Sequence, residues 1–96
     1  MNAGAQDGIR DEQSVRMLVR ELILELAPNQ TYKDLTSDSR LVEDLEFHSL
    51  ALMEMAFTLE DEFSLDPISE QDALKIISAG DVEQYVVDEL RRKEQL

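Results

Sequence analysis

The chain has 96 residues, and 9 Lys or Arg against 22 Asp or Glu give a formal net charge of −13. That balance excludes tight binding to a nucleic-acid backbone, which needs cations to displace counterions. It contains no cysteine, so disulfides and thiolate metal sites are out and a reducing, cytoplasmic setting is expected.

No apolar run approaches the ~18 residues of a membrane span. The start of the chain lacks the basic and apolar regions of a signal peptide. One small domain is expected over residues 11–92, with a flexible tail at 1–10 and a charged end at 93–96. Beginning at Met1, the chain is expected to be a discrete, free-standing subunit.

From Val15 the apolar positions run Val15, Leu18, Val19, Leu22, Ile23 and Leu26, one face of a helix. Asp11 is placed to cap its start, and Pro28 with Asn29 to end it. Ala27 to His48 has no sustained period, and its 22 residues exceed a plain connector. Tyr32, Leu35, Leu41, Val42, Leu45 and Phe47 are spaced to pin this long loop across the helices. Thr36 to Ser39 reads as a turn within it.

A second helix is predicted over Ser49 to Phe63. At about 100° per residue, Leu52, Ala56, Leu59 and Phe63 form one apolar stripe, and Leu50, Met53 and Phe57 form another. Glu60 lies between them, where an unpaired buried charge would be costly. The first stripe is therefore assigned to the core and the second to an exposed recognition strip. A single wide core contact for all seven residues is the competing reading. Between Leu41 and Leu74 there are ten carboxylates and no Lys or Arg, which marks the surface around this helix as a docking face for basic partners.

Ser69 and Asp72 predict a capped short helix over Glu70 to Ile76, giving Ala73, Leu74, Ile76 and Ile77 to the core. Ser78 and Asp81 repeat the arrangement and open a last helix, with Val82, Tyr85, Val86 and Leu90 on one face. No segment alternates long enough to predict a strand. The fold class is all-α: a small antiparallel-type bundle of three main helices plus one short helix, with a long loop between helices 1 and 2.

Catalysis by the chain itself is not expected. Its sole histidine, His48, is adjacent to Ser49. Consecutive side chains diverge too far for a nucleophile–base contact, and no third group orients them. There is no Gly-rich phosphate loop and no metal-ligand spacing, and the D-x-D-x-D-G loop of a calcium site is missing. His48 reads as a turn residue, or as a means by which partner enzymes orient the loop. Ser49 reads as the helix N-cap. It reads equally as a modification site, because a helix N-terminus offers N–H donors and positive potential to an attached phosphate.

The stretch L-V-E-D-L-E-F-H-S-L-A-L-M-E-M-A-F-T-L-E-D-E-F, Leu41 to Phe63, resembles the signature of acyl carrier proteins: an acidic D-L loop, a D-S-L triplet and an acidic helix. The resemblance continues through Asp72-Ala73, Lys75-Ile76 and Ser78-Ala79-Gly80-Asp81, covering about Val15 to Leu90.

It implies a monomeric carrier, not an enzyme, with no metal. Ser49 would receive a 4′-phosphopantetheine arm from coenzyme A through a phosphopantetheinyl transferase (a holo-carrier synthase). The arm's thiol would hold acyl intermediates as thioesters in fatty acid or polyketide biosynthesis. Leu50, Met53, Glu54, Phe57, Glu60 and Asp61 match positions that family members present to basic grooves on acyltransferases, ketosynthases and related enzymes. Cargo would be sheltered against Leu59, Phe63 and Ile76.

His48 stands where the family usually has Asp. It is similar there to peptidyl carriers with G-G-H-S-L, although Glu46 and Phe47 replace the two glycines. An aminoacyl carrier of a nonribosomal peptide pathway is thus one alternative, and an unmodified acidic adaptor is another. Phe63 to Ala73 is one residue longer than the family's usual spacing.

Overall fold

Four helices in chain order, α1 (Glu12–Leu26), α2 (Ser49–Phe63), α3 (Glu70–Leu74) and α4 (Ala79–Arg92), make up a computed structural model that describes residues 11–31 and 34–96. The expected tail at 1–10 and the expected anchor Tyr32 lie outside the described residues. Helix α1 packs on α4 and α2, and α2 packs on α4, which bears out the all-α bundle. The described residues form no strand, only one isolated bridge between Arg40 and Ser78.

Each helix begins where a side chain takes up an orphan backbone donor. Asp11 accepts from Ser14 N–H at 2.8 Å, and Ser69 Oγ accepts from Asp72 N–H at 3.1 Å. At α4 the box is reciprocal: Ser78 Oγ accepts from Asp81 N–H, while the Asp81 carboxylate accepts from the N–H groups of Ile77 and Ser78. The Ile77 amide, then the Ser78 amide, hold the Asp81 carboxyl below its ordinary value. A depressed carboxyl stabilises the fold fully above the ordinary range and loses that contribution as pH falls through its own lower value. Helix α1 stops at Ala27, which is extended (φ −64°, ψ 130°) because Pro28 disfavours the helical conformation before it.

Val15, Val19 and Ile23 of α1 are fully buried. They meet Ala79, Val82, Val86, Val87 and Leu90 of α4 and Ala51, Met55, Leu59 and Phe63 of α2 in a single core. The α2 stripe is rotated from the expected one. Leu59 and Phe63 are buried as predicted, but Leu52 and Ala56 are half-buried, and Ala51 and Met55 take the centre. Helix α3 ends at Leu74 rather than Ile76, and contributes less than expected. Leu74 is 81 % exposed and Ile77 55 %, Ala73 is exposed, and only Ile76 packs against the core. A five-residue helix is too short to bury a face and position a side chain at every apolar site.

The long loop is anchored by Leu41, Leu45 and Phe47, all buried, with Leu35 half-buried; Val42 points outward instead. Its backbone is joined to the α3–α4 connection: Leu41 N–H donates to Ile77 O at 3.0 Å, Ala79 N–H to Ser39 O at 2.8 Å, and Gly80 N–H to Ser37 O at 2.9 Å. Gly80 is required at this seam. A Cβ there would lie 2.9 Å from the Ser37 carbonyl oxygen.

Glu46 ends the loop in the left-handed region (φ 62°) with its side chain exposed. A non-glycine residue is strained there by about 1 kcal/mol. Glu46→Gly is therefore expected to raise stability slightly, by up to about 0.5 kcal/mol, the relieved strain exceeding the added freedom of the unfolded chain. A urea midpoint shifted upward at constant slope would register it.

Candidate functional site

The loop delivers the chain to α2 through buried Phe47, whose N–H donates to Leu41 O at 2.9 Å. The N-cap is His48, not Ser49. His48 is extended (φ −109°, ψ 178°), and its Nδ1 accepts from Ala51 N–H at 3.3 Å. Ser49 becomes the first residue of the helix. Its side chain is exposed, and among the described residues its hydroxyl has no hydrogen-bond partner. The N–H groups of Ser49 and Leu50 also lack an acceptor there, since the first amides committed to the helix are Ala51 and Leu52. An unengaged hydroxyl thus stands beside two free amide donors at the positive end of a 15-residue helix. That is a fit for an oxygen-linked anionic group.

Two surfaces diverge from this serine. Leu50, Met53 and Phe57 are 61 %, 53 % and 60 % exposed. With Glu54 and Asp61, also exposed, they fall on one face at the spacing i, i+3, i+4, i+7, i+11. This places the predicted strip outside the core and flanks it with carboxylates. Glu60 is set apart from it: the residue is half-buried, and its carboxylate accepts from Ile68 N–H at 3.4 Å. A predicted carboxylate of the docking set therefore also braces the α2–α3 connection.

The second surface lies beneath Ser49, where Leu52 and Ala56 share its side of α2. An apolar trough runs from there between α2 and α3. A cavity of about 190 Å³ opens at Val42, Leu52 and Ile77. It shares Leu41, Leu52 and Ile76 with one of about 130 Å³ lined also by Met55, Ala56 and Ile68. That one shares Met55, Ala56, Ile68 and Ile76 with a narrower space of about 50 Å³ that reaches Leu59 and Tyr85. Of the three residues expected to shelter cargo, Leu59 and Ile76 line the trough. Phe63 does not; it is 5 % exposed in the core one turn further on.

Sequence reasoning missed two residues here. His48 as the cap escaped it because serine is the better capping residue and was adjacent. Tyr85, expected only on one face of the last helix, is half-buried at the trough's inner end, where burial raises its phenol pKa. No group of three or more His, Cys, Asp or Glu among the described residues is arranged to hold a metal ion. No helix of the described residues is long and apolar enough to cross a membrane.

No family model matches the chain. It is similar to curated relatives. An acyl carrier protein of Desulforapulum autotrophicum is 34 % identical over 73 residues, covering 76 % of this chain and 94 % of the relative. One of Rickettsia canadensis is 34 % identical over 71 residues, 71 % of this chain and 81 % of the relative. One of Chlamydia trachomatis is 43 % identical over 54 residues, 56 % of this chain and 69 % of the relative.

Proposed function

This chain belongs to the acyl carrier protein family, and on that footing we propose that it carries acyl groups on a 4′-phosphopantetheine arm attached to Ser49, in fatty acid or polyketide biosynthesis. The observation that carries the reading is the exposed Ser49 hydroxyl, unengaged at the head of α2 and set above an apolar trough. When bound, the arm supplies the thiol that this cysteine-free chain lacks.

The chain's own residues account for the rest. Ser49 Oγ forms the new bond to the pantetheine-side phosphorus of coenzyme A, adenosine 3′,5′-bisphosphate departs, and the serine proton passes to a base on the transferase. The Ser49 and Leu50 amides, which have no acceptor among the described residues, would be the donors available to the resulting phosphodiester charge. Leu52, Ala56, Met55 and Ile76 offer an apolar surface, so a hydrocarbon attached through the arm would gain roughly 0.8 kcal/mol per CH₂ that it buried there. That lining favours an acyl cargo over an aminoacyl one, whose charged amine would be desolvated there.

Incubation of the purified chain with coenzyme A and a broad-specificity phosphopantetheinyl transferase is expected to add the mass of one arm per chain. A chain left unmodified by several such transferases would overturn the reading. Weighing the thioester-bound group on protein isolated from its own host separates acyl from aminoacyl cargo.

The acidic strip is read as the docking face for the transferase, acyltransferases, ketosynthases and related enzymes with basic grooves. Phe57→Ala is expected to weaken docking to such an enzyme by about 1–2 kcal/mol, roughly 5- to 30-fold in Kd. Glu54→Lys with Asp61→Lys should act mainly on the association rate and its salt dependence. Because all three side chains are exposed, thermal stability should move by no more than about 0.5 kcal/mol. Titration calorimetry beside a melting curve distinguishes lost docking from lost fold.

A further inference from the structure

The cap of α2 differs in kind from the other three. Asp11, Ser69 and Ser78 accept through oxygens that stay acceptors across the neutral range. His48 accepts through an imidazole nitrogen, 3.3 Å from the Ala51 amide. A nitrogen that accepts carries no proton, so the cap exists only in the neutral tautomer with its hydrogen on Nε2. Protonation would remove the lone pair, turn Nδ1 into a donor facing a donor, and place a positive charge at the positive end of the helix.

Nothing nearby compensates for that loss. Helix α2 has no acid in its first turn. Among the described residues no carboxylate lies within ion-pair distance of the imidazole. In the preceding loop, Asp44 is turned back to accept from Arg40 N–H, Glu43 pairs with Arg40, and Glu46 is exposed. Further along α2, Glu54 faces solvent. From the α3 side the charged groups are Glu70, Asp72 and Lys75, and neither α1 nor α4 sends an ion pair to the ring.

We propose that His48 is the positioning residue of the modification site: as a neutral imidazole it holds the first turn of α2, and with it Ser49, and protonation releases that turn. Presentation of Ser49 then declines wherever His48 takes up a proton and the Ala51 amide loses its acceptor. The proposal rests on the reading of Ser49 as the modified residue, and its first test does not depend on that reading.

That test is hydrogen exchange at the Ala51 amide of the unmodified chain, corrected for intrinsic exchange, between pH 8 and pH 5. In the wild type, protection at Ala51 is expected to fall several-fold on going to pH 5, as loss of an N-cap requires. In His48→Asn, whose amide oxygen caps at every pH, it should stay level; in His48→Ala it should be low at both ends.

The second test divides the arm-transfer rate of the wild type by that of His48→Asn with the same transferase at each pH, which cancels the enzyme's own profile. This ratio should fall with pH by the same factor. Level Ala51 protection in the wild type, or an Asn variant as pH-sensitive as the wild type, would overturn the proposal. Failure of arm transfer at every pH, with Ala51 protection still tracking His48, would overturn the reading of Ser49 and uphold the titrating cap.

Discussion

Ser49→Ala is expected to abolish attachment of the arm, with no mass gain after prolonged incubation with coenzyme A and transferase, while leaving stability unchanged within about 0.5 kcal/mol. The two halves of that expectation have different sources. Loss of attachment follows because the hydroxyl oxygen is the atom that bonds to phosphorus, and alanine has none. Preserved stability follows from the capping arrangement. Were Ser49 the N-cap, alanine would cost about 1 kcal/mol, but the cap is His48 and Ser49 is the first helical residue, where alanine is an excellent helix former. Intact-protein mass spectrometry and urea denaturation on one preparation read both halves. A variant that still gained an arm would place the modification elsewhere; one that lost a full kilocalorie would return the cap to Ser49.

Arg16→Ala combined with Arg20→Ala is expected to destabilise the fold by about 3–5 kcal/mol. Glu83 is 1 % exposed on the core face of α4. Its carboxylate accepts from Arg20 Nε at 2.6 Å and pairs with Arg16 at 3.4 Å. Arg16 is held in turn by Glu12 and Gln84, and Glu12 also meets Arg91. Removing both arginines leaves the Glu83 carboxyl in the core without a partner. A domain of this size has a total stability of about 5–12 kcal/mol, so the double variant should lose at least about a quarter of it.

Glu83→Leu should behave oppositely. The arginines it strands are partly exposed, at 29 % and 40 %, and can hydrate, while the leucine completes an apolar stripe. Its midpoint should equal or exceed the wild type's. Denaturant midpoints of the two variants decide the matter. Equal losses in both would mean that the ion pair itself, rather than the avoidance of a stranded charge, stabilises the helix pair.

The extent to which sequence disclosed this molecule differs by element, for physical reasons. Helix α1 and its ends were readable because a single apolar face, an Asp cap and a terminating Pro agree with one another. The same holds for the start of α4, where Ser78 and Asp81 stand at capping spacing. Helix α2 was ambiguous because apolar residues occupy well over half its circumference. The exposed strip could be picked out because Glu60 lies between the two apolar stripes, while the N-terminal half of the buried stripe was placed one residue out of register, at Leu52 and Ala56 in place of Ala51 and Met55. Apolar composition misled at α3, where Leu74 and Ile77 face solvent; their partners in sequence are too few to form a face.

Glu83 carried a signal that composition conceals. It falls with Ala79, Val82, Val86, Val87 and Leu90 on one heptad-like face, and Arg16 and Arg20 stand four apart on the facing helix. Ser49 itself was legible as a position and a chemistry. Its exposure, its free amides and its displacement from the cap by His48 required coordinates, because an imidazole cap has no reliable sequence signature.

Helix α3 contains no buried residue, yet with Ile76 it forms one wall of the trough. The one described helix with no buried residue is therefore a wall of this apolar space. Displacing α3 would uncover little core, so it should cost far less than unfolding the α1–α2–α4 frame.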